Sequence, residues 1–214
     1  MKIQEIDRYC LLLYSRIKEC KGCHLHLTST QRVPGEGLIN TNVWLIGEAP
    51  GAQEDMIGKP FVGAAGHTLN KMLDEAGLTR DMFYTTNVVK CRPPDNRQPT
   101  YYEIMDCYTK IFNTEYAFFR PRYMIPMGNV ATSCVAEYYL RRNASVPSIS
   151  RARLRVFINL EHTERPRAII PIYHPAYCLR NKMAYTATID DFKKIKTLLE
   201  TDDILSLKRY RVWK

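Results

Sequence analysis

The segment best suited to chemistry is a Gly/Pro-rich turn that is followed by two acidic residues. The turn spans Gly47–Gly51 with the sequence GEAPG, directly follows the apolar run Val43–Ile46, and precedes Glu54 and Asp55. α/β proteins place ligand sites at the carboxyl ends of their strands, where such turns lie. The turn lacks the Lys-Ser/Thr pair and the glycine spacing of a phosphate-binding loop. Its carboxylates therefore favour a site for a neutral base or for a positive charge that develops during a reaction.

Four of the seven cysteines have a spacing that suggests a metal site. Cys20 and Cys23 form one short CxxC pair, whereas Cys91 and Cys107 lie far downstream and far apart. In an intracellular chain this set is better explained by metal binding than by disulfides. Four thiolates suit a zinc ion or an iron–sulfur cluster, and the single short pair favours a [4Fe–4S] cluster. Four unrelated buried cysteines remain the alternative from the residues alone. The other three are predicted to be small core residues: Cys10, Cys134 and Cys178.

The composition describes a globular chain with an excess of positive charge. Its 214 residues are enough for one domain with a full core, and 31 Lys and Arg outnumber 22 Asp and Glu. The formal charge of +9 suits a polyanion such as nucleic acid, although a merely basic protein fits it equally well. No apolar run approaches the ~18 residues that span a bilayer, so we expect no membrane partner. Acidic residues replace the apolar part of a signal peptide near the N-terminus, which predicts an intracellular protein.

Hydrophobic periodicity predicts strands that alternate with helices. The predicted helices are Gln4–Lys18, Gly66–Ala76, Pro99–Phe119, Asn129–Leu140 and Thr186–Glu200. The predicted strands are Val43–Ile46, Phe83–Val89, Tyr123–Met127, Leu154–Asn159 and Ala168–Ile172. Polar segments predict loops at Thr28–Asn42, Asn143–Ser150 and Glu161–Arg165. This alternation implies an α/β fold, a three-layer α/β/α sandwich around a mostly parallel central sheet. No long linker interrupts the chain, so residues 1–214 are expected to form a single domain.

Four blocks of sequence together resemble one known family. They read GEAPGAQED at 47–55, GKPFVG at 58–63, NVVKCRPPDNR at 87–97 and HPAYCLRN at 174–181. In this order, and with the four spaced cysteines, they are similar to the family 4 uracil-DNA glycosylases. That family is the iron–sulfur-containing branch of the uracil-DNA glycosylase superfamily. The resemblance extends from Cys20 to about Leu199.

The resemblance implies a pocket that grips a uracil swung out of the DNA helix. Phe61 would stack on the base, Asn87 would hydrogen-bond to its edge, and Gly47 would contribute to substrate binding. An asparagine amide presents one donor and one acceptor, so it can match the edge of uracil and reject cytosine.

The resemblance also implies three catalytic side chains and a water nucleophile. Glu48 and Glu54 occupy the acidic positions of the signature turn, and Glu54 would lie nearer the base and the attacking water. His174 would lie against O2 of the uracil and serve both binding and catalysis. Because the family uses water, we expect a monofunctional enzyme that leaves the DNA strand uncut.

Further residues are implied to contact DNA or to hold the cluster. Tyr177 and Leu179 would act as an apolar wedge and Arg180 would hold a phosphate, as a base-flipping enzyme requires. Two more arginines are expected at the DNA surface: Arg92 and Arg97. The implied cofactor is a [4Fe–4S] cluster that ties the N-terminal helix to the rest of the domain. Its ligands would be Cys20, Cys23, Cys91 and Cys107.

Two segments depart from the pattern of the family. Arg153 is followed by Leu154, where the family usually has an Arg-Gly pair, and Phe157–Arg167 differs from the short turn expected there. Neither departure touches the implied pocket residues, although both could alter contacts with DNA.

The expected function is excision of uracil from single- or double-stranded DNA by a monomer, as the first step of base-excision repair. Two alternatives stay open from the sequence. One is the same fold acting on another deaminated base such as hypoxanthine, although Asn87 and His174 favour uracil as the substrate. The other is a DNA-binding or interaction module that has lost turnover, although the presence of Glu54, Asn87 and His174 favours an active enzyme.

Overall fold

A six-stranded sheet is the middle layer of the described part of the chain. The computed structural model describes residues 3–37, 41–139, 148–153, 155–158, 168–202 and 211–213. The strands are β1 (Val43–Gly47), β2 (Tyr84–Asn87), β3 (Tyr123–Pro126), β4 (Arg155–Ile158), β5 (Ala168–Ile169) and β6 (Arg211–Trp213). They lie in the order β2-β1-β3-β5-β4-β6. The first four in this order are parallel to one another, β4 is antiparallel to β5, and β6 is parallel to β4.

Helices connect the strands and cover the sheet. They are α1 (Ile3–Lys18), α2 (Leu25–Thr28), α3 (Ala52–Ile57), α4 (Ala64–Glu75), α5 (Tyr101–Cys107), α6 (Asn113–Phe119), α7 (Asn129–Tyr139), α8 (Ile149–Ala152), α9 (Pro175–Cys178) and α10 (Lys182–Thr201). A π-helical turn, Tyr108–Phe112, joins α5 to α6. Thr100 begins α5 with a capping box, in which its hydroxyl accepts from the Glu103 N–H and the Glu103 carboxylate accepts from the Thr100 N–H. No helix in the described residues is both long and apolar enough to cross a bilayer.

Two apolar cores lie on opposite faces of the sheet because side chains alternate along each strand. On one face, Val43 and Leu45 of β1 pack with buried residues of α4 and α10. On the other face, Trp44 and Ile46 pack with α1, α7 and the α5–α6 segment. All four of these β1 side chains are buried, which explains why the strand has a continuous apolar sequence. The prediction of a three-layer α/β/α sandwich with a mostly parallel sheet is therefore confirmed.

The connections between strands create a crevice at one edge of the sheet. The chain passes from β1 to its neighbour β2, and then crosses back to β3 on the other side of β1. In such sheets the crevice outside the carboxyl ends of the strands, where the order reverses, is the usual ligand site. The turn after β1 and the residues that follow β2, β3 and β5 all reach this edge.

Several element boundaries differ from the predicted ones. The predicted strand Phe83–Val89 is shorter in the structure, because the chain turns after Asn87. The predicted loop Asn143–Ser150 contains the start of α8, where the Ile149 N–H donates to the Asn129 side-chain oxygen at 2.7 Å. The remainder of that loop up to residue 147, Leu154 and the predicted loop Glu161–Arg165 lie outside the described residues.

Candidate active site

A cavity of about 340 Å³ opens at the carboxyl edge of the parallel strands. Six residues were predicted to bind substrate or to act in catalysis, and five of them line this cavity: Glu48, Glu54, Phe61, Asn87 and His174. The sixth predicted residue, Gly47, is the last residue of β1 and pairs in register with Asn87. The structure thus brings together residues that are up to 127 positions apart in the sequence, and their roles stay predictions.

Only glycine fits at position 47, because the neighbouring side chains leave no space for a Cβ atom. A Cβ atom at this position would overlap with the Asn87 side-chain oxygen and with the edge of the Phe61 ring. Any larger residue would therefore displace both groups. The absence of a side chain at Gly47 is what allows the aromatic ring and the amide to approach the end of β1.

The amide of Asn87 is buried, yet it is left with an unused acceptor. Asn87 is 2% exposed, and its Oδ1 has no hydrogen-bond partner among the described residues. A buried polar atom without a partner costs about 1–3 kcal/mol, so native structures rarely contain one without a reason. Because Asn87 lines the cavity, a bound ligand that donates a hydrogen bond would satisfy this oxygen.

The ring of Phe61 is held in place by a strained backbone and by an arginine. Phe61 has a φ of 54°, a left-handed conformation that is uncommon for a residue other than glycine. The Arg80 guanidinium lies 5.5 Å from the centre of its ring and donates to the Pro60 carbonyl at 3.2 Å. Burial lowers the pKa of Arg80 to about 10. Arg80 was not among the residues predicted from the sequence, because no motif around it indicates this contact.

The two glutamates of the site have different surroundings. The Glu54 carboxylate accepts three backbone N–H groups, from Gly51 at 3.1 Å, Val62 at 2.9 Å and Gly63 at 2.8 Å. It thereby fixes the two turns that frame the cavity. Glu48 is half-buried, and its carboxylate forms no hydrogen bond or ion pair within the described residues. Burial raises the pKa of Glu48.

The neighbouring acid Asp55 has a structural role. Its carboxylate accepts from the backbone N–H groups of Thr30 at 3.0 Å and Gln31 at 3.3 Å. It therefore ties α3 to the segment that precedes β1, and it is absent from the lining of the cavity.

His174 lines the cavity, and one of its ring nitrogens has a defined backbone partner. Its Nδ1 accepts from the Ala176 backbone N–H at 3.2 Å at the start of α9. Burial lowers the pKa of His174 to about 4, opposed by the nearby Glu54 carboxylate. The imidazole is therefore neutral at physiological pH, and because Nδ1 accepts, the proton resides on Nε2. The Phe61 and His174 rings lie 6.1 Å apart, centre to centre.

The residues predicted to contact DNA have unequal freedom to do so. Tyr177 and Leu179 are each 50% exposed beside the pocket residue His174, and Arg180 is exposed with no ion pair in the described part of the chain. Arg97 lines the cavity, but its guanidinium forms two hydrogen bonds with Glu103, at 2.8 and 2.6 Å. Arg97 holds the pKa of Glu103 down to about 2.

Two further arginines have partners of their own. Arg92 donates to the Asn96 side chain at 2.8 Å. Arg153 forms an ion pair with the buried Asp191 of α10 at 3.0 Å. The arginine before the unusual Leu154 is therefore a contact between α8 and α10, and most of Phe157–Arg167 lies outside the described residues.

The four spaced cysteines line one small cavity on the other side of the turn that follows β2. Two of their sulfur atoms already accept backbone hydrogen bonds, Cys20 from Gly22 at 3.4 Å and Cys107 from Lys90 at 3.3 Å. Burial raises the pKa of Cys91 to about 11 and that of Cys107 to about 12. Within the described residues, no three His, Cys, Asp or Glu side chains are arranged to hold a single metal ion.

Comparisons with known proteins give a consistent result. The family model of the uracil DNA glycosylase superfamily matches residues 34–200. A type-4 uracil-DNA glycosylase of Sulfurisphaera tokodaii is 37% identical over 202 residues, which cover 92% of this chain and 87% of the relative. A type-4 enzyme of Archaeoglobus fulgidus is 38% identical over 85% of this chain and 89% of its own length. One of Thermotoga maritima is 34% identical over 89% of this chain and 95% of its own.

Proposed function

Since the chain belongs to the uracil-DNA glycosylase superfamily, we propose that it hydrolyses the N-glycosidic bond of uracil in DNA, the first step of base-excision repair. The match extends over most of the chain and over most of each relative. The fold and the cavity support the same function, because every pocket residue expected from the resemblance lies at one edge of the sheet.

The observation that carries this proposal is the unused oxygen of Asn87 beside the ring of Phe61. Uracil presents a donor at N3 and an acceptor at O4, so one amide can accept from the first and donate to the second. Cytosine has the inverse pattern on this edge and would leave both amide groups unpaired. Sites that bind a polar edge reject analogues that lack it strongly, because the buried groups stay unpaired.

The proposed catalysis relies on charge near the sugar and a donor near the base. Cleavage of the bond builds positive charge on the sugar and negative charge on the departing uracil, and groups that match these charges lower the barrier. We assign the first role to Glu48, since it lines the cavity and its carboxylate has no hydrogen bond or ion pair among the residues that the structure describes. The Nε2–H of His174 donates to O2 of the uracil. Glu54 holds the surrounding turns through its three N–H contacts and so keeps Glu48 and Phe61 in position.

DNA is the proposed partner, and the exposed end of α9 is the proposed wedge. Flipping a base out of the helix costs a few kcal/mol of unstacking, and an inserted apolar side chain can fill the gap. Leu179 and Tyr177 are exposed next to the pocket and suit this role. Arg180 is available for a phosphate, whereas Arg97 supports the cavity wall through Glu103.

We also propose a [4Fe–4S] cluster at the four cysteines. Each thiolate in such a cluster binds a different iron atom, whereas one zinc ion needs all four sulfur atoms about 2.3 Å from a single point. The shared cavity and the two N–H···S contacts suit the cluster, because hydrogen bonds to ligand sulfurs are typical of iron–sulfur sites. When bound, the cluster would supply structural cross-linking between the α1–α2 connection, the turn after β2 and the end of α5.

The proposed function is tested with purified protein and labelled oligonucleotides. Single- and double-stranded substrates containing one uracil, one hypoxanthine or only normal bases are incubated, treated with alkali and separated. Alkali-dependent breaks at uracil alone are expected, with no breaks before alkali. Breaks at hypoxanthine alone would show a different base specificity. Tight binding with no breaks on any substrate would show a DNA-binding module without turnover.

A further inference from the structure

A lysine and a glutamate form a fully buried ion pair beside β2 and the turn that follows it. The side chains of Lys90 and Glu115 are 1% and 0% exposed, and their charged atoms lie 2.6 Å apart. Lys90 is in the turn after β2 and Glu115 is on α6. Neither residue lines the active-site cavity.

The contacts of the Lys90 amine are fully satisfied. Its three protons have three acceptors: the Thr86 hydroxyl at 2.6 Å, the Glu115 carboxylate at 2.6 Å and the backbone carbonyl of Asn87 at 2.7 Å. The Glu115 carboxylate is held in turn by the Tyr84 hydroxyl at 2.7 Å and by Thr86. The network therefore fixes the carbonyl of the residue whose side chain faces the proposed base.

Stability alone is a weak explanation for this pair. Removing two charges from water is costly, and apolar residues of similar volume often replace a buried ion pair without loss of stability. A buried ion pair can instead serve to fix one local conformation of the chain among several. The chain leaves the sheet immediately after Asn87 and turns over residues 87–90. At the end of this turn the backbone N–H of Lys90 donates to the Cys107 sulfur at 3.3 Å.

We propose that Lys90, held by Glu115, is a positioning residue that orients the Asn87 amide for recognition of the base. The amine pins the Asn87 carbonyl, which fixes the peptide from which the amide side chain projects. The adjacent N–H anchors the same turn to Cys107. This inference rests on the proposed function, because it names the support of the residue that reads uracil.

Two variants separate positioning from folding. Lys90→Met alone would strand the Glu115 charge in the core and could prevent folding, so it is combined with Glu115→Gln. This double variant removes both charges and the contact to the Asn87 carbonyl, while the glutamine still accepts from Tyr84 and Thr86. The control is Glu115→Gln alone, which keeps the lysine and its contacts to Thr86 and Asn87. It leaves the Lys90 charge without its counter-ion and so lowers stability as well, which is why both variants are compared per folded molecule.

The kinetic readout is excision of uracil and of cytosine per folded molecule, with inhibition by free uracil. Displacing a positioned group can lower the rate by roughly 10- to 100-fold, and we expect this loss in the double variant only. Its inhibition constant for uracil should rise by about tenfold, the equivalent of one lost hydrogen bond. Unchanged constants per folded molecule, with only a lower melting temperature, would overturn the inference.

Hydrogen exchange provides a readout that does not depend on activity. The N–H groups of Val88 and Val89 donate to the carbonyls of Gly47 and Glu48, both at 3.0 Å. We expect these two amides to exchange faster in the double variant than in the control. Equal exchange in both proteins would contradict the inference. If the unaltered protein excises no uracil but exchange differs as expected, the proposed function fails and the structural role of Lys90 stands.

Discussion

The active-site cavity and the cysteine cavity lie on either side of the same turn, yet they are built in opposite ways. The active-site cavity is open, and two of its polar groups have no hydrogen-bond partner in the part of the chain that the structure describes: the buried Asn87 oxygen and the half-buried Glu48 carboxylate. The cysteine cavity is small, and two of its sulfur atoms already accept hydrogen bonds. Unsatisfied polar groups are costly until a ligand arrives, which suits a ligand that comes and goes.

The difference implies that the two regions separate function from stability. Residues that face the open cavity cost stability and contribute to activity, so their removal should affect the reaction far more than the fold. Residues around the cysteines should show the reverse. Lys90 lies between them and contacts both, through the Asn87 carbonyl and the Cys107 sulfur.

The largest effect is expected from Cys107→Ser. Binding of a structural metal can supply on the order of 10 kcal/mol of folding free energy, so losing a ligand should prevent folding or lower the melting temperature by more than ten degrees or so. Visible absorbance of the cluster should disappear with it. Cys178→Ser is the matched control, because Cys178 is buried outside the cysteine cavity. Equal melting temperatures for the two variants would show that the cysteine cavity does not stabilise the fold.

Asn87→Ala should lower the rate of excision by roughly 100- to 1,000-fold, as removal of a single matched hydrogen-bonding group does in other active sites. Its melting temperature should stay the same or rise, because the buried oxygen that is removed has no partner among the described residues. Thr132→Val is the control, since the Thr132 hydroxyl is likewise buried and unpaired in that part of the chain but lies outside the lining of the cavity. A large loss of stability in Asn87→Ala with normal activity would reverse the assignment.

The pair Glu48→Gln and Glu54→Gln tests the division of roles within the site. Loss of the free carboxylate in Glu48→Gln should slow excision about 100-fold at an unchanged melting temperature. Glu54→Gln removes one of the oxygens that hold three N–H groups, so its main effect should be a lower melting temperature. The opposite result, with Glu54 decisive for rate at full stability, would restore the role predicted from the sequence. Single-turnover rates and thermal unfolding of both variants decide between the two.

The smallest expected effect is the pH dependence of the reaction. Burial raises the pKa of Glu48, so its carboxylate is protonated, and kcat/KM falls, at a higher pH than for an exposed glutamate. His174 stays neutral until its pKa of about 4 and should not set this limb. Glu48→Gln should therefore abolish the acid limb in a profile of kcat/KM against pH. A limb that persists in this variant would assign the titration to another group.

The same two groups act in opposite directions on stability. The raised pKa of Glu48 contributes stability at low pH, which is lost as pH rises through the folded-state value. The lowered pKa of His174 contributes stability above its ordinary value of 6.5, which is lost as pH falls towards about 4. Thermal unfolding of His174→Gln should therefore change less between pH 7 and about pH 5 than unfolding of the unaltered protein.

The sequence predicted the fold well where periodicity and burial coincide. The apolar run of β1 and the spaced apolar residues of α4 and α10 each specify one element, and the structure confirms them. The short helix α3 was not predicted, because its six residues are too few to show a period. The end of β2 was placed too late, since Val88 and Val89 are apolar and buried although the chain has already turned.

The candidate site was predictable from residue types but not from its contacts. Motif order brought Gly47, Asn87 and His174 into one hypothesis, and the structure places them together. Whether a carboxylate accepts hydrogen bonds from the protein depends on the backbone N–H groups of distant turns, and no pattern of side chains in the sequence reveals these. The sequence therefore could not separate Glu48 from Glu54, nor identify Arg80 and Lys90 as supports of the pocket.

A crystal structure of the protein with free uracil would test the proposed recognition of the base most sharply. We expect the base in the cavity at the ends of β1 and β2, stacked on Phe61, with its N3–H donating to the Asn87 oxygen and its O2 accepting from His174 Nε2. Uracil bound elsewhere, or bound here with the Asn87 amide turned away from its edge, would contradict it.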